Sequence, residues 1–130
     1  MLSDNIVKIT EDIFEKNFPN GLELIDKQLD FNHMGFFSLK YRYLVDKYNI
    51  VFETMEGVFD IYIVDYENAK TSLFRIAQYE PQLNRKNIEK AVSILKNVLV
   101  EKKFDLLLEK NGKIYQLLTL IKVLFQLWLQ

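Results

Sequence analysis

The chain contains no cysteine, a single histidine, four glycines and two prolines in 130 residues. The lack of cysteine excludes disulfides, thiolate metal ligands and a cysteine nucleophile. Because His33 is the only histidine, a zinc site would depend on carboxylates, and a histidine-based catalytic triad has one candidate position. The glycines stand singly, so the sequence has no glycine-rich loop to hold a phosphate. We therefore expect neither a metal nor a cofactor.

Neither sign of charge dominates, since 17 Lys and Arg residues face 18 Asp and Glu residues, for a formal net charge of -1. Nucleic-acid binding depends on cationic side chains at phosphates, so this balance argues against it. With 49% hydrophobic and 14% aromatic residues, the chain can form one folded domain over residues 1–130. The N-terminus lacks the basic and apolar regions of a signal peptide, and we expect a cytoplasmic protein.

The N-terminal segment has the periodicity of an amphipathic helix. Apolar residues recur at helical spacing from Leu2 to Phe14, and the helix is expected to end before Pro19. It begins at Ser3 or as late as Thr10, because both residues suit an N-cap.

From Leu22 the apolar residues recur with a period of two, which predicts strands. Leu22–Asp30 fits an irregular strand, and three regular strands follow, joined by turns at Asp46-Lys47 and Glu56-Gly57. Residues 71–76 form a candidate fifth strand. The segment is therefore predicted to be an antiparallel meander of about four to five strands.

Two-residue turns at both positions predict the register of the meander. One face would carry the apolar rows Tyr43–Ile50–Ile63 and Tyr41–Phe52–Ile61. The opposite face would carry the rows Arg42–Val51–Tyr62 and Lys40–Glu53–Asp60. A one-residue slip at either turn would mix the two faces.

Three elements are predicted after the meander. An apolar stripe predicts a middle helix over roughly 85–102 with Asn84 as its N-cap, and Asn111-Gly112 predicts a hairpin over 104–117. The stretch from Leu117 to Leu129 has one narrow polar stripe and is otherwise apolar, so it predicts a helix that is buried on most sides. It is shorter than the roughly 20 residues of a bilayer span. We expect a closing core helix or a contact between two copies, with a membrane-surface role as the minor alternative.

These elements predict the α+β class: a central antiparallel sheet plus a C-terminal hairpin, packed by an N-terminal, a middle and a C-terminal helix. One acidic pair has a predicted geometry within it, because Glu53 lies opposite Asp60. Two adjacent carboxylates could act as acid and base, but Lys40 in the same row favours a solvated charge row. His33 is expected to bond locally in a turn, and residues 65–68 are expected to form a strand-ending turn rather than a cation loop.

The predicted face opposite the apolar rows is the candidate partner-binding surface. It mixes aromatic, aliphatic, basic and acidic side chains, as protein-binding patches do. Its candidate binding residues are Lys40, Arg42, Val51, Glu53, Asp60 and Tyr62. The alternative is that the middle helix or the tail covers this face and makes it a second layer of core.

The order of helix, antiparallel meander, helix, hairpin and helix resembles two groups of small bacterial proteins. The stretch MGFFSLKYRYLVDKYNIVFETMEGVFDIYIVD, with its Lys, Asn, Ile and Tyr usage, looks like immunity proteins that neutralise polymorphic or contact-dependent toxins. That resemblance implies a single-domain, cytoplasmic, non-enzymatic protein. The order is also similar to the type III secretion chaperone fold, although this chain has at least one additional strand before its middle helix.

Three functional hypotheses remain open. The first is a non-enzymatic immunity-type inhibitor that occludes a partner toxin with a preformed sheet face or edge. The second is a chaperone-like homodimer that associates through the stretch from Leu117 to Leu129. The third is a small hydrolase that uses Glu53 and Asp60.

Overall fold

The computed structural model describes residues 2–101 and the single positions 124 and 128, with side chains from Asn5 onward. The elements are α1 (Leu2–Asn17), β1 (Leu22–Asp30), β2 (Phe36–Tyr43), β3 (Tyr48–Met55), β4 (Val58–Asp65), β5 (Lys70–Ser72), a 3-10 turn (Leu73–Arg75) and α2 (Arg85–Glu101). The α+β class and the antiparallel sheet are confirmed. The predicted hairpin over 104–117 lies outside the described residues. Of the predicted tail helix, only Leu124 and Trp128 are described; both are helical and exposed, at 54% and 79%.

The sheet is a five-stranded antiparallel meander in which the strands lie in chain order. β1 contains a bulge between Leu24 and Asp26, which explains its irregular alternation in the sequence. The two-residue turn between β3 and β4 has φ angles of 54° at Glu56 and 79° at Gly57, as a type I′ hairpin turn requires. The predicted register across this turn is confirmed, with Glu53 opposite Asp60.

The predicted register between β2 and β3 is wrong by two residues. Tyr43 lies opposite Tyr48, not Ile50, so the connection has four residues and not two. Leu44 lies beyond the β3 ladder, but its N–H continues the bonding to the β1 side by donating to the carbonyl of Gly21 at 3.0 Å. A shift of two residues preserves the side of every side chain, so the alternating pattern could not reveal it.

The corrected register changes the composition of the predicted rows. The apolar face carries the rows Tyr41–Ile50–Ile63 and Leu39–Phe52–Ile61. On the opposite face Lys40 lies beside Val51, and Ser38 lies beside Glu53. Two predicted rows are therefore partly wrong, namely Lys40–Glu53–Asp60 and Arg42–Val51–Tyr62. In each row the pairing of the β3 and β4 residues is correct, and the residue from β2 is wrong.

Both helices pack on the apolar side of the sheet, which we call the inner face. Phe14 of α1 stacks on Tyr41 with ring centroids 4.8 Å apart and meets Phe52 edge-on at 6.0 Å. The buried residues of α2 join the same core: Ile88, Ala91, Val92, Leu95, Val98 and Leu99. Asn84 caps α2 as expected, because its Oδ1 accepts a hydrogen bond from the Asn87 N–H at 2.8 Å.

The predicted fifth strand is shorter than expected. It covers Lys70–Ser72, and the chain then forms the 3-10 turn. Ser72 caps this turn, because its Oγ accepts a hydrogen bond from the N–H of Phe74. Further along, the N–H of Phe59 donates to the Pro81 carbonyl at 2.9 Å, and the N–H of Leu83 donates to the Gly57 carbonyl at 2.9 Å. The segment before α2 thus continues the backbone hydrogen bonding that β5 begins along the same edge of β4.

Candidate protein-binding face

The second side of the sheet, which we call the outer face, is built from the alternate residues of the same strands. Its centre consists of the cross-strand rows Ser38–Glu53–Asp60, Lys40–Val51–Tyr62–Ser72 and Arg42–Asn49–Val64–Lys70. Within residues 2–101, no helix packs on this face, since α1 and α2 contribute to the core on the inner side. Most of these side chains are half-buried, whereas Arg42 and Lys70 are exposed.

All six sequence-predicted binding residues lie on the outer face. Lys40, Val51 and Tyr62 form one cross-strand row. Glu53 and Asp60 are directly opposite each other in the next row. Their role in binding stays a prediction, but their position on a common surface gives that prediction a defined geometry.

Arg42 lies two rows from the acidic pair, on the far side of the row that contains Lys40. Its Nη1 is 3.6 Å from Oε1 of Glu23 on β1, in an ion pair whose side chains are both about half-exposed. Exposed pairs of this kind contribute little to stability. This guanidinium can therefore exchange its partner at low cost.

Asp60 is the most highly bonded carboxylate of the outer face. Its Oδ1 accepts hydrogen bonds from Ser72 Oγ at 2.7 Å, from Tyr79 Oη at 2.8 Å and from the N–H of Ile61 at 2.8 Å. These bonds tie β4 to β5 and to the segment before α2. The Asp60 carboxylate thus connects β4 to the following segment beyond the last residue pair of β4 and β5.

The hydroxyl groups around Asp60 are held in their protonated, donating form. Burial raises the pKa of Tyr62 to about 12, with further contributions from the charge of Asp60, a hydrogen bond to it and the charge of Glu53. Burial, followed by the hydrogen bond to Asp60, raises the pKa of Tyr79 further still. Both phenols therefore stay protonated throughout the physiological pH range, and Tyr79 donates its hydrogen bond to Asp60.

A hollow of about 330 Å³ lies beside the acidic pair at one end of the outer face. Its lining combines apolar walls with two carboxylates: Phe36, Glu53, Thr54, Met55, Val58, Phe59, Asp60 and Tyr62. Met55 and Val58 are exposed at its rim. A hollow with aliphatic walls and carboxylates suits the stem and the charged head of a Lys or Arg side chain.

The opposite end of the outer face is basic. Lys70 places its Nζ 4.6 Å from the centre of the Tyr62 ring, in a cation–π contact, and Arg42 lies in the same row of the sheet. The face therefore changes from acidic to basic along the strand direction. A partner surface with the reverse arrangement of charge would be favoured in one orientation only.

Two contributors to this site could not be identified from the sequence. Ser72 and Tyr79 bond Asp60 from the end of β5 and from an irregular segment, where no periodicity indicates which way a side chain points. His33 lies in the β1–β2 turn, as predicted, and its carbonyl accepts from the Phe36 N–H at 3.0 Å. The strand-ending turn at 65–68 is also observed, with Asp65 Oδ1 accepting from the N–H groups of Glu67 and Ala69.

In the part of the chain that the structure describes, no three acidic or histidine side chains are grouped closely enough to hold a metal ion. None of the described helices has the length and hydropathy needed to cross a membrane. No protein-family model, no curated protein and no solved structure matches this chain.

Proposed function

We propose that the protein is a non-enzymatic protein-binding module and that the outer face is its binding surface. The observation that carries this proposal is the uneven covering of the sheet, with both described helices on the inner face. The outer face combines exposed Met55 and Val58 with half-buried aromatic and charged side chains. Such a mixture is typical of surfaces that bind proteins.

The proposed mechanism is occlusion of a partner toxin by this preformed surface, as in immunity proteins. The outer face consists of residues in a hydrogen-bonded sheet, so little conformational entropy is lost when a partner binds. A Lys or Arg side chain of the partner would enter the hollow beside Glu53 and Asp60. Acidic side chains of the partner would lie opposite Arg42 and Lys70.

The hydrogen bonds of Asp60 favour binding over hydrolysis as the role of the acidic pair. A general acid or base needs a proton that can leave or arrive during the reaction. The Oδ1 atom of Asp60 already accepts three protein hydrogen bonds, two of them from hydroxyl groups, and the pKa of the Tyr79 hydroxyl is raised. This arrangement supports a structural carboxylate that shapes the hollow.

The proposal is tested by site-specific photo-crosslinking of the full-length chain in its native host. A crosslinking residue at position 51 should capture one protein, whereas the same residue at the exposed position 96 of α2 should not. Glu53→Lys should weaken binding of the captured protein at least tenfold, and the matched control Glu89→Lys on α2 should leave it unchanged. Capture from position 96 alone, or unchanged binding by Glu53→Lys, would overturn the outer face as the binding surface.

The immunity role is tested separately with the captured protein. Expressed alone, it should arrest growth, and co-expression of this chain should restore growth unless Glu53→Lys is present. A captured protein that is harmless would overturn the immunity role while leaving the protein-binding role in place.

The homodimer alternative has one observation in its favour, the exposure of Leu124 and Trp128 within the apolar stretch from Leu117 to Leu129. An exposed tryptophan is a typical anchor of a protein contact. Sedimentation of the full-length chain over a hundredfold range of concentration should then show a dimer that Trp128→Ala weakens. A monomer at every concentration would overturn this alternative.

A further inference from the structure

A cleft of about 330 Å³ lies between α1 and the edge strand β1, on the side of the sheet away from the outer face. Its walls are Glu11, Glu15, Phe18, Asn20, Leu22, Leu24 and Tyr41. β1 is the end strand of the sheet, so the cleft lies at the edge of the protein. The two glutamates come from α1, and Leu22 and Leu24 come from β1.

The hydroxyl of Tyr41 is the unusual group in this cleft. The residue is only 6% exposed, and its ring is held by stacking on Phe14. Its Oη is buried, and no hydrogen bond joins it to any described residue. Buried hydroxyls are nearly always paired, so an unpaired one on a residue that lines a cleft indicates a missing partner.

Glu11 and Glu15 are one helical turn apart, and the charges of both affect the pKa of the Tyr41 hydroxyl. Burial raises the pKa of Tyr41, and the charges of Glu11 and Glu15 raise it further. The phenol therefore stays protonated, with a lone pair available to a donor. Like charges four residues apart on a helix repel each other, which favours a cation between them.

Only one of these carboxylates is neutralised by the protein. Glu11 Oε1 lies 2.7 Å from the Nζ of Lys27 on β1. In the described part of the chain Glu15 forms no ion pair, and its side chain is exposed. The cleft thus keeps a net negative charge beside apolar walls and an unpaired hydroxyl.

We propose that this cleft binds a primary ammonium group carried on a short apolar body. The ammonium group would donate to the Glu15 carboxylate and to Tyr41 Oη, which fills the vacant acceptor position. The apolar body would lie against Phe18, Leu22 and Leu24. The ammonium group comes from a free amine or from a lysine side chain, and both share this chemistry.

The test is an NMR titration of the full-length chain, labelled with ¹³C at its tyrosine rings, with n-butylammonium chloride. 1-Butanol serves as the uncharged probe of the same shape, and potassium chloride controls for ionic strength. The Tyr41 signals should shift saturably, with a Kd at least fivefold lower for butylammonium than for 1-butanol. Equal affinity for the two probes would overturn the ammonium site.

Two variants test the contributions of the Glu15 carboxylate and the Tyr41 hydroxyl to binding separately. Glu15→Gln, at an exposed position, should raise the Kd for butylammonium at least fivefold, whereas Glu89→Gln on α2 should leave it unchanged. Tyr41→Phe should also weaken binding, and the shifts of the ¹⁵N-labelled backbone amides of α1 provide the readout in this variant. Unchanged affinity in Glu15→Gln would overturn the proposal even if Tyr41→Phe were to unfold.

The source of the ammonium group is tested by the same titration with N-acetyl-lysine methylamide, which represents a lysine side chain within a protein. Binding at least tenfold tighter than that of butylammonium assigns a lysine side chain of a protein, and weaker binding assigns a free amine. Glu53→Lys on the outer face should not change either affinity, so this site and the proposed function can fail independently.

Discussion

The inner and outer faces of the sheet are made from alternate residues of the same strands, yet they differ in burial and in charge. On β3, Ile50 and Phe52 are completely buried under the helices, whereas their neighbours Val51 and Glu53 are half-buried. The inner face joins rings and aliphatic chains into one core with both helices. The outer face keeps charges of both signs and one carboxylate that organises its surroundings. Within the described residues, the folding free energy therefore comes mainly from the inner face.

The largest expected effect is the loss of a ring from the inner face. Phe52→Ala should reduce the free energy of unfolding by about 3–5 kcal/mol, because it removes a fully buried ring and leaves a cavity. Val51→Ala, one residue away on the outer face, should reduce it by about 1 kcal/mol or less. Urea unfolding of the full-length chain, followed by circular dichroism, measures both. Comparable losses would mean that the outer face is packed as tightly as the inner one.

The second expected effect is a difference in unfolding free energy between variants of the two carboxylates in one row. Asp60→Ala should lower the free energy of unfolding by about 2–3 kcal/mol, because it leaves the hydroxyls of Ser72 and Tyr79 without their acceptor. Glu53→Ala, directly opposite, should change it by only about 0.5 kcal/mol. The same urea titrations measure this difference. If the two variants were equally stable, Asp60 would not be the structural centre of the outer face.

The sequence could predict which side of the sheet each residue occupies but not every neighbour. The β3–β4 register follows from a two-residue turn at Glu56-Gly57, where the glycine favours the left-handed angles that such a turn requires. Asp46-Lys47 carries no such requirement, and the connection there expands to four residues. The predicted faces are therefore correct, but the residue opposite Lys40 on β3 is Val51 and not Glu53.

The parts of both sites that the sequence could not reveal depend on tertiary contacts. Tyr79 reaches Asp60 from an irregular segment, and no local pattern indicates that contact. The unpaired hydroxyl of Tyr41 is visible only once α1 is packed against β1, since its position in a strand predicts burial alone. Periodicity determines burial, whereas the pairing of polar atoms depends on where distant segments meet.

The smallest expected effect is a difference in titration between tyrosines of the two faces. Tyr62 on the outer face should ionise with a pKa of about 12, whereas Tyr41 on the inner face should stay protonated at that pH. Because the pKa of Tyr62 is raised above its ordinary value of 10.0, the folded state should lose stability as the pH rises from 10 towards 12. Asp60→Asn should lower the pKa of Tyr62, since it removes a neighbouring charge, and should leave Tyr41 unchanged. A titration of the tyrosine ¹³Cζ signals measures both groups, and an identical pKa for Tyr62 in the variant would show that Asp60 does not contribute to it.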